Sequence, residues 1–200
     1  IEALGDYKAA YAASAIAEVA KLDGPLQDDA ITALGKIGDA STHELLAELQ
    51  RSGPRGVQPS IAAAMLQLGF NTTANDEYLK KTLVFALGPG RNQPLVRATS
   101  HALGVLAARG NGSALAALLD AGVPAKDPGR APVALAVGLA ALRNPGVLLD
   151  TVQPRADRAG VALLLQDAFD MLSSEDYALE QFYVEVRRAY WAAPAASPRR

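Results

Sequence analysis

Three stretches of this chain carry residue types that could do chemistry, and each has a plainer use. His43 beside Glu44 offers two metal ligands, but the other histidine, His101, is followed by Ala102, so no second pair completes a centre. Ser41-Thr42-His43-Glu44 has the spacing of a capping box, in which the Ser41 hydroxyl and the Glu44 carboxylate satisfy free amides at a helix start while His43 faces solvent. Asp28-Asp29 is an acidic pair suited to binding a cation or moving a proton. Both aspartates stand in what reads as the first turn of a helix, where the positive end of the dipole favours carboxylates. Gly88-Pro89-Gly90-Arg91-Asn92 could cradle an anion before a helix N-terminus. It lacks the spacing of a phosphate-binding loop and any strand before it, so it reads as a loop between helices. No catalytic residue, metal ligand or cofactor site is assigned.

The elements that would position such residues are set by a repeat. Leu95, Ala98, Thr99, Ala102, Leu103 and Leu106 trace the apolar stripe of one amphipathic helix. Approximate copies of its Ala-Leu-Gly core recur as Ala3-Leu4-Gly5, Ala33-Leu34-Gly35, Ala64-Met65-Leu66, Ala102-Leu103-Gly104, Ala136-Val137-Gly138 and Ala168-Phe169-Asp170. The steps between copies are 30, 31, 38, 34 and 32 residues, a self-similarity that marks a stacked array. The Gly88 to Asn92 insertion accounts for the longest step. Between copies lies a second apolar run, such as Leu45-Leu46-Ala47-Glu48-Leu49 or Leu115-Ala116-Ala117-Leu118-Leu119, so each repeat is two antiparallel helices. Glycine inside a helix costs about 1 kcal/mol against alanine, and its recurrence therefore marks close helix approach or a helix end. Leu34, Leu103 and Val137 are expected to be buried equivalently.

This pattern resembles the HEAT-like repeats of phycobilisome-lyase-type and related bacterial proteins, whose second helix reads roughly hydrophobic-Arg-x-x-Ala-x-x-Ala-Leu-Gly. Leu95 to Gly104 matches best. Gln27 to Gly38 matches in its second half but carries Asp28-Asp29 near the usual Arg, and the copy at Ala168 has lost the glycine. The resemblance covers nearly the whole chain and implies an all-α fold, a right-handed α-α superhelix (α-solenoid) of about five helix pairs. Its motif is a folding motif, shared by scaffolds, enzymes and nucleic-acid binders. Deoxyhypusine hydroxylases, also HEAT-like, use several His-Glu pairs on successive repeats, which this chain lacks. HEAT-like base-excision glycosylases use a basic concave face with aromatic residues, whereas the lone Trp191 here lies in the last predicted helix.

Half of the residues are hydrophobic and only 6% are aromatic, so the core is expected to consist of Ala, Leu and Val between closely spaced helices. A net charge of -2 argues against a general affinity for nucleic acid, which needs a basic surface. The absence of cysteine excludes disulfides, zinc-thiolate sites and a cysteine nucleophile, and leaves the compartment open. The longest uncharged run, Gly56 to Asn75, contains Gln58, Pro59 and Gln67 and is wrong for a membrane span.

Ile1 to Asp6 reads as the tail of a second helix, so the chain begins within a repeat. Upstream repeats or another subunit are then expected to cover apolar surface around Tyr7, Ala10, Tyr11 and Ile16. Asp6 is expected to cap the next helix, running to about Leu22, and Pro25 to open the one after it. Pro59, Pro132 and Pro145 suit first turns, and Gly69 to Asn75 reads as a loop before a helix from Asp76 to Leu87. One domain is expected over 1–192, with an unstructured tail over 193–200. Its last helix, Ser174 to Ala192, would cap the array with Leu179, Phe182, Val186 and Tyr190. A second face of that helix, with Tyr177, Val184, Arg188 and Trp191, would dock a partner, and Arg97 is a further candidate. The polar positions expected at the surface of the second helices are Asp28, Thr32, Lys36, Arg97, Thr99, Ser100 and Arg143, a set with no acid-base pairing; Thr99 belongs to this set and to the apolar stripe. The sequence thus reads as a non-catalytic scaffold for a protein partner, without a cofactor, with a phycobilin-lyase-like enzyme or enzyme subunit as the alternative.

Overall fold

The computed structural model describes residues 1–89 and 92–173, and the regular elements among them are all helical. A short helix α1 (Glu2–Asp6) precedes five pairs. These are α2 (Ala13–Ala20) with α3 (Gln27–Ile37), α4 (His43–Ser52) with α5 (Gln58–Gln67), and α6 (Thr72–Leu87) with α7 (Gln93–Ala108). The last two are α8 (Gly112–Gly122) with α9 (Arg130–Arg143), and α10 (Pro145–Val152) with α11 (Arg158–Ser173). Proline stands in the first turn of α5, α7 and α10, where its missing N–H costs nothing. Asn92, Asn111 and Asn144 start α7, α8 and α10, their side-chain oxygens accepting from the amides of Leu95, Ala114 and Val147 at 3.1, 3.0 and 3.2 Å.

The odd helices form one row, each packed on the next from α1 to α11, and the even helices lie behind them as a second layer. Every Ala-Leu-Gly copy falls on an odd helix, and Leu34, Leu103 and Val137 are each fully buried. The glycine of one copy is seated on the alanine of the next. A Cβ on Gly5 would lie 2.9 Å from Ala33 Cα, one on Gly35 2.7 Å from Ala64 Cα, and one on Gly138 2.7 Å from Ala168 Cβ. At Gly104 the approach to Ala136 Cβ is looser, 3.2 Å. Close backbone approach is thus the reason for the repeated glycine.

In α5 the third motif position is Leu66, and there the core divides. Ile61, Ala64 and Met65 belong to a cluster with Ile31 and Leu34, whereas Ala62 and Ala63 face a second cluster that runs through Leu103, Leu118, Val137 and Leu164.

Several local expectations are corrected. The capping box does not form: Asp39 accepts the Ser41 amide at 2.9 Å and opens a 3-10 turn, Ala40–Thr42, that runs straight into α4. The chain is already wound when it reaches Ser41, so its hydroxyl is not the cap. His43 is not solvent-facing but stacks on Phe70 at 3.8 Å. Helix α6 starts at Thr72 rather than Asp76, because Asn71 turns the chain in a left-handed conformation and Asn75 is held by Gln50 and the Phe70 carbonyl. Pro25 lies in the turn before α3, and Asp6 ends α1 rather than capping α2.

Thr32, Lys36, Thr99 and Ser100 are buried rather than exposed. An inner helix is flanked by neighbours on both sides of its row as well as backed by the outer layer, so its polar flanks are covered. Asp28 is half-buried, while Arg97 and Arg143 are exposed. Near the first pair, Tyr7 and Tyr11 are 86% and 87% exposed, but Ile16 lies in the core. The expected helix over 174–192, with Tyr177, Val184, Arg188 and Trp191, and the expected tail over 193–200 lie outside the described residues. No single helix among the described residues is long and apolar enough to cross a membrane.

Candidate functional site

The inner row curls until α1 faces α7 and α9, and a cleft of about 410 Å³ opens between them. Its floor is built from the small residues that the repeat requires: Gly5 of α1, Gly104 and Ala108 of α7, and Ala136 and Ala140 of α9. Val105 and the half-exposed Leu139 supply larger apolar surface. A cleft of this volume lies within the range that holds a small ligand or a few side chains of a partner.

Side chains clasp the two walls. Asp6 accepts from Lys36 Nζ at 2.8 Å on one carboxylate oxygen and from Arg143 Nη1 at 2.9 Å on the other, joining α1 to both α3 and α9. Glu2 lies 3.8 Å from Arg143 Nη2. Arg109, just past α7, donates to the Lys36 carbonyl at 2.7 Å and to Gln67 Oε1 at 2.8 Å. Burial acts to raise the Asp6 pKa, but the hydrogen bonds from Lys36 and Arg143 outweigh it and hold the carboxyl below its ordinary value. The Lys36 side chain is only 11% exposed, and its ion pair with Asp6 is therefore largely shielded from solvent on the lysine side.

Charge at the cleft is opposite to that of the chain. Lys8, Lys36, Arg109 and Arg143 line it against Glu2 and Asp6, two more cations than anions, on a chain of net charge -2. Lys36 and Arg143 are spent on the two carboxylates, and Arg109 on neutral oxygens. The side chains of Lys8 and His101 line the cleft without a hydrogen bond or ion pair among the described residues.

The chain matches no family model, no curated protein and no solved structure.

Of the residues singled out in the sequence, Lys36 and Arg143 are brought together at Asp6. Arg97 stands exposed on α7 one helical turn before His101, outside the cleft lining. Asp28 and Asp29 remain in the first turn of α3, away from the cleft. Among the described residues no three His, Asp or Glu side chains converge as a metal ion would need. Sequence reasoning missed Asp6 and Lys8. Asp6 carries no local signal, since its partners are 30 and 137 residues away. Lys8 does: counted three residues past the motif, it aligns with Gly38 and Gly69.

Proposed function

We propose that the chain is a HEAT-like helical-repeat binding module, non-catalytic, whose concave inner face holds a segment of a protein partner. What supports the reading most is the cleft between α1, α7 and α9, with an apolar floor and an excess of positive charge on an otherwise acidic chain. Its carboxylate at the centre of the clasp serves to brace the walls: Asp6 is held below its ordinary pKa by Lys36 and Arg143, whereas a general acid needs its carboxyl raised toward the working pH. The HEAT-like assignment draws on the six motif copies, each on an inner helix, four of them with glycine set against the alanine of the next. Interface cores favour apolar surface ringed by polar groups, which is how Leu139 and Val105 stand among the charged side chains.

The test compares two double substitutions by cross-linking in extracts of the cells that make the protein. Val105→Glu with Leu139→Glu places charge in the cleft; Val84→Glu with Phe85→Glu places it on exposed positions of α6 in the outer layer. Loss of the cross-linked partner in the cleft variant alone, with both variants melting like the parent, is the expected result. Loss in the α6 variant alone would overturn the reading.

A further inference from the structure

Three inner helices end in turns of one kind. The second residue after the helix takes positive φ, its N–H bonds three residues back, and the next N–H bonds five residues back. In the turn after α5, Gly69 (φ 80) bonds to Leu66 at 3.1 Å and Phe70 to Met65 at 2.9 Å. In the turn after α7, Gly110 (φ 96) bonds to Ala107 at 2.9 Å and Asn111 to Leu106 at 3.1 Å. In the turn after α1 the same bonds run from Lys8 (φ 51) to Gly5 at 3.0 Å and from Ala9 to Leu4 at 2.9 Å. The turn after α3 also uses glycine, Gly38 at φ 80. A Cβ crowds the carbonyl in this conformation, which is why glycine holds it most readily. Asn71 is the other non-glycine residue at positive φ among those described, and asparagine tolerates it. Lysine has no such excuse. Its side chain has no hydrogen bond or ion pair among the described residues, and it is the one member of the set that lines the cleft.

We propose that Lys8 is an anion anchor which, with His101 across the cleft, receives the side-chain carboxylate of an Asp or Glu in an extended segment of the partner, the neighbouring apolar side chain of that segment lying on Val105, Ala108 and Leu139. The proposal rests on the cleft being the partner-binding surface. A carboxylate fits better than a phosphate group. The planar forks that favour phosphate belong to arginine; Arg143 turns both terminal nitrogens to Asp6 and Glu2, and Arg109 gives Nη1 to the Lys36 carbonyl and to Gln67. One free ammonium matches one carboxylate charge, and the apolar lining beside it matches one aliphatic neighbour.

The test pans a random dodecapeptide library displayed on phage against the full chain, then titrates recovered sequences as fluorescein-labelled peptides by anisotropy. Recovered peptides should share an Asp or Glu beside Leu, Ile or Phe. Lys8→Gly should weaken them about tenfold, the scale of one charge-assisted hydrogen bond. Replacing the peptide acid by its amide should weaken binding to the parent equally and add little in Lys8→Gly. The variant should melt at or above the parent temperature, since glycine is what the sister turns use, so the loss is not unfolding. Peptides that keep their affinity in Lys8→Gly but lose it in Leu139→Ser would overturn the anchor and leave the binding module standing. Peptides indifferent to both substitutions, or no recovery above a blank panning, would overturn both. A Lys8→Gly chain that melts below the parent would overturn the premise that lysine sits there at the backbone's expense.

Discussion

Replacing Gly35 by alanine isolates what the repeated glycine does. By helix propensity alone the change favours the folded state by about 1 kcal/mol. Against it, the new Cβ would lie 2.7 Å from Ala64 Cα, 2.9 Å from Ala64 Cβ and 3.0 Å from Gln67 Nε2. That is about 0.8 Å short of ordinary carbon contact. The atom in the way is backbone, and α3 is held on its other side by α1 and behind by α2, so the strain belongs in the upper part of the usual 1 to 3 kcal/mol for overpacking, about 2 to 3. The net loss is about 1 to 2 kcal/mol, or a fall of roughly 2 to 8 °C in melting temperature for a chain of this size. Gly104→Ala is the control, because its Cβ meets Ala136 Cβ at 3.2 Å and the Ala136 carbonyl at 3.3 Å, a gap that a small shift of α9 relieves. Its propensity gain and strain should nearly cancel. Thermal melts followed by circular dichroism at 222 nm, with urea titrations for the free energies, measure both. If Gly35→Ala proves as stable as Gly104→Ala, or more stable than the parent, close approach is not what glycine secures.

Asp6→Asn should destabilise by about 2 kcal/mol, since it leaves Lys36 charged and nearly buried without its partner, and should open the α1–α9 wall, read as a rise in hydrogen exchange at α1. Because the folded Asp6 pKa is depressed, its contribution is fully present above about pH 4, the unfolded value, and is lost as pH falls through the lower folded value. The parent should therefore lose stability over that acid range more steeply than Asp6→Asn; parallel pH profiles would refute the assignment. Thr99→Val should stabilise by about 1 kcal/mol, because the Thr99 hydroxyl is buried with no hydrogen-bond partner among the described residues and valine keeps its shape without the desolvation cost. A lower urea midpoint for Thr99→Val would mean that the hydroxyl has a partner in solution.

The architecture was legible because it is written locally and six times over. Ala-Leu-Gly specifies both the apolar stripe and the small surface that the next helix needs, so the inner helices and the burial of Leu34, Leu103 and Val137 follow from spacing. Pro59 and Pro145 mark helix starts for an equally local reason. The cleft was not legible, because it arises from curvature summed over several repeats. Asp6 read alone is a helix cap, and only the curl of the row brings it to Arg143. Lys36, Thr99 and Ser100 were misread for a related reason: periodicity tells which face meets the partner helix, but a residue in a row is also covered from both sides. Lys8 lies between these cases, hidden to a reading of helices yet visible once the turns are aligned with one another.

The contact between Asp6 and Arg143 also bears on how such a chain can change its length. In an open array each repeat touches only its neighbours, and units can be duplicated or deleted with the rest undisturbed. Here one ion pair joins residues 137 positions apart, and Arg109 reaches back 73 residues to the Lys36 carbonyl. Deleting one unit from between them, or inserting one, would carry the arginines a helix width along the row and leave Lys36 and Asp6 facing the wrong wall. Copy number is thereby fixed by closure, and gene rearrangements that swap whole units, harmless in a ladder, would here erase the cleft.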